Sequence, residues 1–164
     1  MKMRQEIPKA WHLFRRWLKS TSKRTFIVYP IGIIAFELGL HRGAIALNPW
    51  GAILLLWGYL QYRWTGMYRT RLGGGGPGID VPPHTIVAQG PYRFVRNPMY
   101  LGHLIFMLGL AITFSSVAAA VLLLVHVVWF HRRVLDDEAR LETRFGAPYL
   151  DYKARVKRWI PGLV

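Results

Sequence analysis

From Met99 to Phe130 the chain carries no Asp, Glu, Lys or Arg, a run of 32 residues. As a single helix it would extend ~48 Å, against a bilayer hydrocarbon core of ~30 Å. Two shorter helices turning near Ser115-Ser116 fit that thickness, so the run reads as a membrane hairpin. Two further apolar stretches precede it. One runs from about Phe26 to Leu47, with Glu37 and the pair His41-Arg42 interrupting its far end. The other covers about Trp50 to Trp64, and a polar, glycine-rich stretch from Thr65 to Pro98 follows it.

The basic residues settle the count of spans. Lys and Arg number eight in residues 1–24, five in 63–96 and eight in 132–158, which leaves only Arg42 elsewhere. With four spans those 21 residues all lie on one face, the cytoplasmic one. With three spans the last eight would have to cross. The sequence therefore predicts an all-α, integral-membrane helical bundle of about four transmembrane helices. Its divisions are a basic segment 1–24, transmembrane helices over 25–66, a cytosolic loop over 67–98, transmembrane helices over 99–134 and C-terminal cytosolic helices over 135–164.

With 22 Lys and Arg against 8 Asp and Glu, a soluble chain would suit nucleic acid. Here the charges flank long apolar runs, which makes membrane lipids the partner and not nucleic acid. There is no cysteine, so disulfide, thiolate and Cys-ligated metal chemistry are excluded. The first 24 residues are too charged for a secretory signal peptide. Ile7, Trp11, Phe14 and Leu18 fall at helical spacing among them, as in an interfacial amphipathic helix, a disordered basic tail being the rival reading.

After the last span, Val134, Glu138, Leu141 and Phe145 form one stripe that faces the protein, where the Glu138 carboxylate needs a partner. Arg133 and Asp137 stand one turn apart and project together. Gly146 is a helix stop. A further amphipathic helix carries Tyr149, Tyr152, Val156 and Ile160 on one side and ends before Pro161.

The segment from His84 to Tyr100 packs polar, aromatic and helix-breaking residues against the start of the apolar hairpin. Such a segment adds nothing to anchoring, so it is a binding segment. Pro98 at the first helical turn leaves that turn's N–H groups free for a ligand. The Gly73–Gly78 run lacks the Lys-Ser/Thr of a phosphate loop and reads as a flexible linker. His103 and His126, without nearby carboxylates, read as interhelical hydrogen-bonding groups, and no metal site is assigned. Glu37, an acid inside a span, is either paired with His41 or Arg42 or in contact with substrate.

Two blocks, His84-Thr85-Ile86-Val87 with Gly90-Pro91-Tyr92 and Asn97-Pro98-Met99-Tyr100, then Asp137-Glu138 with Leu141, Phe145-Gly146, Tyr149 and Tyr152, resemble the isoprenylcysteine carboxyl methyltransferase family. These are intramembrane enzymes that use S-adenosylmethionine. The resemblance spans residues 84–161. It implies that His84, Thr85, Ile86, Val87, Tyr92, Asn97, Pro98, Met99 and Tyr100 line the cofactor site and that Asp137 completes it. It implies that Arg133 contacts substrate as a catalytic residue, with Glu138 able to share the role of Asp137. Many members have histidine in place of Asn97, and most have Glu-Glu in place of Asp137-Glu138. Asparagine still donates and accepts hydrogen bonds but does not titrate.

The implied activity is methyl transfer from S-adenosylmethionine to a lipophilic small-molecule or lipidated acceptor, at a site facing the cytoplasm. A carboxylate acceptor needs no general base, and Arg133 would hold it in line. An amine acceptor, as in the related phospholipid N-methyltransferases, needs a base, for which Asp137 or Glu138 is the candidate. A non-catalytic membrane module is the rival from another class.

Overall fold

The computed structural model describes Trp17 and residues 19–159. The amphipathic segment with Ile7, Trp11, Phe14 and Leu18, and Ile160 with Pro161, lie outside the described residues. Among the described residues five helices and a short 3-10 turn, Gly90–Arg93, make up the fold, and the one pairing of extended backbone is a single parallel bridge between Val95 and Lys157.

Thr21–Lys23, Arg24–Val28 and Tyr29–Leu40 run on as one rod, α1, whose middle section is π-helical. The wider turn falls just before Pro30, which has no N–H to return to the helix and would crowd the carbonyl one turn back. The rod stops at Leu40, seven residues short of the Leu47 expected from hydropathy. Arg42 and Gly43 take positive φ (50° and 92°) and turn the chain out of the helix. Asn48 then caps α2 (Pro49–Gly73), accepting from Trp50 N at 3.0 Å, with Pro49 in the first turn. This helix continues nine residues past Trp64, carrying Arg69 beyond the apolar section.

α3 (Pro98–Thr113) and α4 (Val117–Phe145) form the expected hairpin. Ser115 takes φ 47°, and Ser116 caps α4 by accepting from Ala119 N at 3.1 Å. Gly146 (φ 61°) breaks α4 and leads into α5 (Ala147–Arg155), so the stop expected there is present. Val156 is already extended.

Glycine at seven-residue spacing brings α2 and α3 into backbone contact. A Cβ on Gly58 would stand 2.4 Å from Phe106 N and 2.6 Å from Gly102 O; one on Gly51 would meet Thr113 N at 2.3 Å, and one on Gly109 would meet Leu55 N at 2.7 Å. Small residues are the means by which helices approach closely in lipid, where no hydrophobic drive separates helix from solvent. Above this seam the rings of Phe26, Tyr62, His103, Phe106 and Phe130 pack edge to face or tilted, with centroids 4.6–5.7 Å apart.

His126 bridges α4 to α1: its Nδ1 donates to Leu122 O, which leaves Nε2 to accept from the Tyr29 hydroxyl at 3.0 Å. His103 bonds within its own helix instead, to Met99 O at 2.9 Å. Glu37 is buried and pairs with His41 Nε2 at 3.2 Å.

Large apolar side chains face outward, most of them from α1, α2 and α4, among them Ile31, Phe36, Trp50, Leu56, Trp57, Val121 and Leu124. So wide an apolar exterior is the surface of a membrane-associated bundle. Among the described residues one helix, Val117–Phe145, is long and apolar enough to cross a bilayer, and α3 is apolar but shorter. The apolar section of α4 ends at Phe130, and His131–Phe145 project as a charged extension.

Candidate functional site

The extension of α4 carries two carboxylates on different faces, and they meet different environments. Glu138 turns inward, 3% exposed. Arg96 grips it with Nε at 3.0 Å and Nη2 at 3.2 Å, Arg158 Nη2 reaches it at 2.9 Å, and Asn97 Nδ2 donates at 3.1 Å. Burial pushes this carboxyl up, yet the hydrogen bonds and charges of Arg158 and Arg96 bring it below its ordinary value. Arg96 Nη1 also donates to the carbonyls of Lys153 and Val156, and Arg96 N bonds Lys157 O at 2.8 Å. Glu138 is thus the knot that ties the start of α3 to α4 and the C-terminal segment.

Asp137 faces the other way, into a cavity of about 190 Å³. Its Oδ2 accepts from the Tyr100 hydroxyl at 2.6 Å and lies 4.0 Å from Arg133 Nε, while Oδ1 pairs with the exposed Arg140 at 3.3 Å. One turn back, Arg133 Nη2 binds Asp80 Oδ1 at 2.6 Å and Nη1 donates to Thr21 Oγ1 at 2.9 Å. Desolvation would raise the Asp80 carboxyl, but the hydrogen bonds from Arg133 and Thr21 keep it below the usual range.

The cavity's other walls are apolar or aromatic: Ile79, Ile86, Val87 and Met99 on one side, Leu141, Phe145, Tyr149 and Tyr152 on the other. α5 closes it because Tyr149 and Tyr152 pack against Ile86, Leu141 and Phe145. The Tyr152 hydroxyl donates to Tyr92 O at 2.7 Å.

The glycine run is no slack tether. Arg69 Nη2 collects the carbonyls of Gly76, Gly78 and Val81 at 2.6–2.9 Å, which folds the loop over the cavity.

Of the residues singled out from sequence, Ile86, Val87, Tyr92, Asn97, Pro98, Met99, Tyr100, Arg133 and Asp137 line this one cavity. His84, Thr85 and Glu138 do not. The first two bond the end of α2 through their N–H groups, which donate to Gly73 O, and Thr85 Oγ1 reaches Leu72 O. Asp80 and Arg69 line the cavity and were missed. The only clue to Asp80 in the sequence is that it is the sole acid in residues 63–98. Among the described residues no group of three or more His, Cys, Asp or Glu could hold a metal ion.

Residues 41–147, well over half of the chain, match the family model described as phospholipid methyltransferase. The chain belongs to the phospholipid methyltransferase family. Over 80 residues, 48% of this chain, it is 36% identical to protein-S-isoprenylcysteine O-methyltransferase A of Arabidopsis thaliana. Identity is 34% to the Schizosaccharomyces pombe protein-S-isoprenylcysteine O-methyltransferase over 80 residues, and 34% to the Mus musculus one over 79. The matched stretch spans 40%, 34% and 28% of these three relatives.

A methyltransferase family implies S-adenosylmethionine as donor, a nucleoside with a sulfonium and an amino-acid end. The cavity suits such a molecule. It offers apolar and aromatic walls, the Asp137 carboxylate toward positive charge, and arginines toward a carboxylate. Two of its lining residues hold buried polar atoms without a partner, Tyr92 Oη and Arg69 Nε.

Proposed function

We propose that this protein is a multi-pass membrane methyltransferase that moves a methyl group from S-adenosylmethionine to a lipophilic acceptor, a carboxylate of the isoprenylcysteine type. In this reading four helices cross the bilayer and the cavity opens on the cytoplasmic side, where 21 of 22 Lys and Arg gather. The observation that carries it is the meeting of Asp137 and Arg133 with the Ile86–Tyr100 segment around one cavity.

The donor supplies an electrophilic methyl group on positively charged sulfur. Asp137, oriented by Tyr100, would accept hydrogen bonds from it, and the unpartnered Tyr92 hydroxyl would donate to it. Arg133 holds the acceptor carboxylate. With the donor bound, an acceptor oxygen held by Arg133 would take the methyl group, and the electron pair of the broken carbon–sulfur bond would stay on sulfur. An anion and a cation become two neutral products, so a site shielded from water favours the step and no base is required.

Support for a lipophilic acceptor comes from a second, more open hollow of about 910 Å³ on the outer face, lined by Trp57, Leu60, Trp64, Phe94 and Leu101. Pro98 lines both it and the cavity, so an apolar chain lying there would have its reactive end beside the site.

N-methylation of an aminophospholipid is the second reading, favoured by the two carboxylates, Asp80 and Asp137, that face the cavity. Methyl transfer from radiolabelled S-adenosylmethionine to N-acetyl-S-farnesylcysteine or to phosphatidylethanolamine vesicles separates the two. Label released by mild alkali is an ester and supports the first reading. Alkali-stable label on the phospholipid supports the second.

A further inference from the structure

An acceptor carboxylate arriving at Arg133 finds it already engaged. Nη2 is bound to Asp80 at 2.6 Å and Nη1 to Thr21 Oγ1 at 2.9 Å. Both arms of the fork that could clasp a carboxylate are therefore in use. The remaining edge, Nε, looks toward Asp137 at 4.0 Å. The guanidinium also lies over the rings of Tyr100 (5.9 Å) and Trp129 (5.7 Å), which discourages it from swinging out to meet an anion.

Asp80 is itself fastened. Thr21 gives its backbone N–H at 3.0 Å to Oδ2 and its hydroxyl at 2.9 Å to Oδ1. The main chain on both sides of Asp80 is fixed by Arg69, which holds the carbonyls of Gly78 and Val81. What can yield is the carboxylate, by rotation about its own side-chain bonds.

We infer that Asp80 is a built-in stand-in for the acceptor's carboxylate, a latch on Arg133 that an anionic acceptor displaces and a neutral one does not. The inference rests on the carboxyl methyl transfer proposed above. An acceptor carboxylate offers Arg133 the charge and the paired oxygens that Asp80 offers. An amide or ester offers no charge and cannot compete with a carboxylate anchored by three hydrogen bonds. The latch thus acts twice. It selects anions on arrival, and it re-forms once methylation has made the acceptor neutral, which drives the ester out. Asp80 touches Arg133 and not the reacting atoms, so its role is one of selectivity and positioning.

The test uses the full chain in detergent, loaded with S-adenosylhomocysteine, with N-acetyl-S-farnesylcysteine and its carboxamide as probes of acceptor affinity. Asp80→Asn removes the competing charge and raises carboxylate affinity about tenfold, the scale of one charge-assisted contact, while carboxamide affinity stays within about twofold. Thr21→Val keeps Asp80 but strips one of its fastenings, and raises the carboxylate-to-carboxamide ratio about threefold. An unchanged ratio, or equal weakening of both probes, would make Asp80 a brace for Arg133 and overturn the latch. Should Asp80→Asn lose S-adenosylhomocysteine binding altogether, Thr21→Val decides in the same terms. A wild-type chain that binds no S-adenosylhomocysteine overturns the methyl-transfer reading and the latch with it. One that binds it without any rise in the ratio overturns the latch alone.

Discussion

The hydroxyl of Tyr152 donates to the main-chain carbonyl of Tyr92 across 2.7 Å in a buried setting. One hydrogen bond thereby fastens α5 to the segment that lines the facing side of the cavity. Tyr152→Phe keeps the ring and deletes the donor, leaving a buried carbonyl unsatisfied at a cost of ~1–3 kcal/mol. The expected outcome is a lower melting temperature in detergent and weaker S-adenosylhomocysteine binding by calorimetry. A variant that melts normally would show that ring packing and the Arg96 bond to Lys153 O hold α5 without this hydrogen bond.

In the proposed assignment, cofactor contact falls to Asp137 and acceptor contact to Arg133. Asp137→Ala should lose ~1.5–3 kcal/mol of cofactor affinity, the value of a buried or charge-assisted hydrogen bond. Arg133→Ala should bind cofactor nearly as the wild type does and lose turnover. Arg133→Lys should recover little, because a lysine cannot present a planar fork to a carboxylate. Cofactor titration and methyl transfer measured on all three variants check the assignment. Loss of cofactor binding in Arg133→Ala with retention in Asp137→Ala would reverse the two roles.

Gly58 and Gly32 make a matched pair of tests for the seam between α2 and α3. A Cβ at Gly58 would be driven into the Phe106 and Gly102 backbones, whereas one at Gly32 meets nothing within 4 Å. Gly58→Ala should destabilise by ~1–3 kcal/mol or prevent folding, since backbone atoms cannot repack around it. Gly32→Ala should be neutral, or stabilising by up to ~1 kcal/mol from helix propensity. Thermal melts of the two variants side by side provide the measurement.

Acid should loosen the fold through Glu138 and Asp80. Both carboxyls titrate below their ordinary values of 4.5 and 3.8 in the folded chain. A depressed folded pKa stabilises above the unfolded value, and that contribution is lost as pH falls through the folded value. Melting temperature should therefore hold from pH 7 to about 5 and drop below about 4. Glu138→Gln should melt lower at pH 7 and respond less to acid. Equal slopes for variant and wild type would remove Glu138 as a source of the acid limb.

The four-span reading is open to cysteine labelling, since the chain has no cysteine of its own. Gly78 is the better loop position, because a Cβ there meets nothing within 4 Å, while one at Gly75 would strike Pro82 O at 2.5 Å. In sealed vesicles, cysteines at Gly78 and Arg155 should label from one side and a cysteine at Ala44 from the other. Labelling of Ala44 from the side of Gly78 would remove a crossing.

What the sequence disclosed and what it hid divide along physical lines. The hairpin turn at Ser115-Ser116 was legible because 32 uncharged residues exceed one bilayer thickness. The inward stripe of Val134, Glu138, Leu141 and Phe145 was legible because helical periodicity is a local property. The end of α1 was misplaced, since hydropathy continues to Leu47 while the backbone turns at Arg42 and Gly43. Asp80 was hidden, because its partners Thr21 and Arg133 lie 59 and 53 residues away and no local pattern encodes such a meeting. Glu138 announced its need for a partner but not that Arg96 and Arg158 supply it. The glycine pairs Gly51-Gly58 and Gly102-Gly109 stand at seven-residue spacing but were not read as a packing signal, and they mark a backbone-to-backbone contact between α2 and α3.

That contact decides which side of the cavity can adapt. Between α2 and α3 the two backbones touch with no side chain to act as a cushion, so neither rotamer changes nor sliding can absorb a displacement. Met99 and Tyr100, rooted in α3, and Arg69, rooted in α2, therefore belong to a single stiff plate. The facing wall, built from the α4 extension and α5, is joined to that plate through ion pairs and hydroxyl contacts that can be exchanged one at a time. A bulkier ligand would be accommodated by the C-terminal wall yielding, and the range of ligand sizes admitted is set by the polar fastenings of that wall.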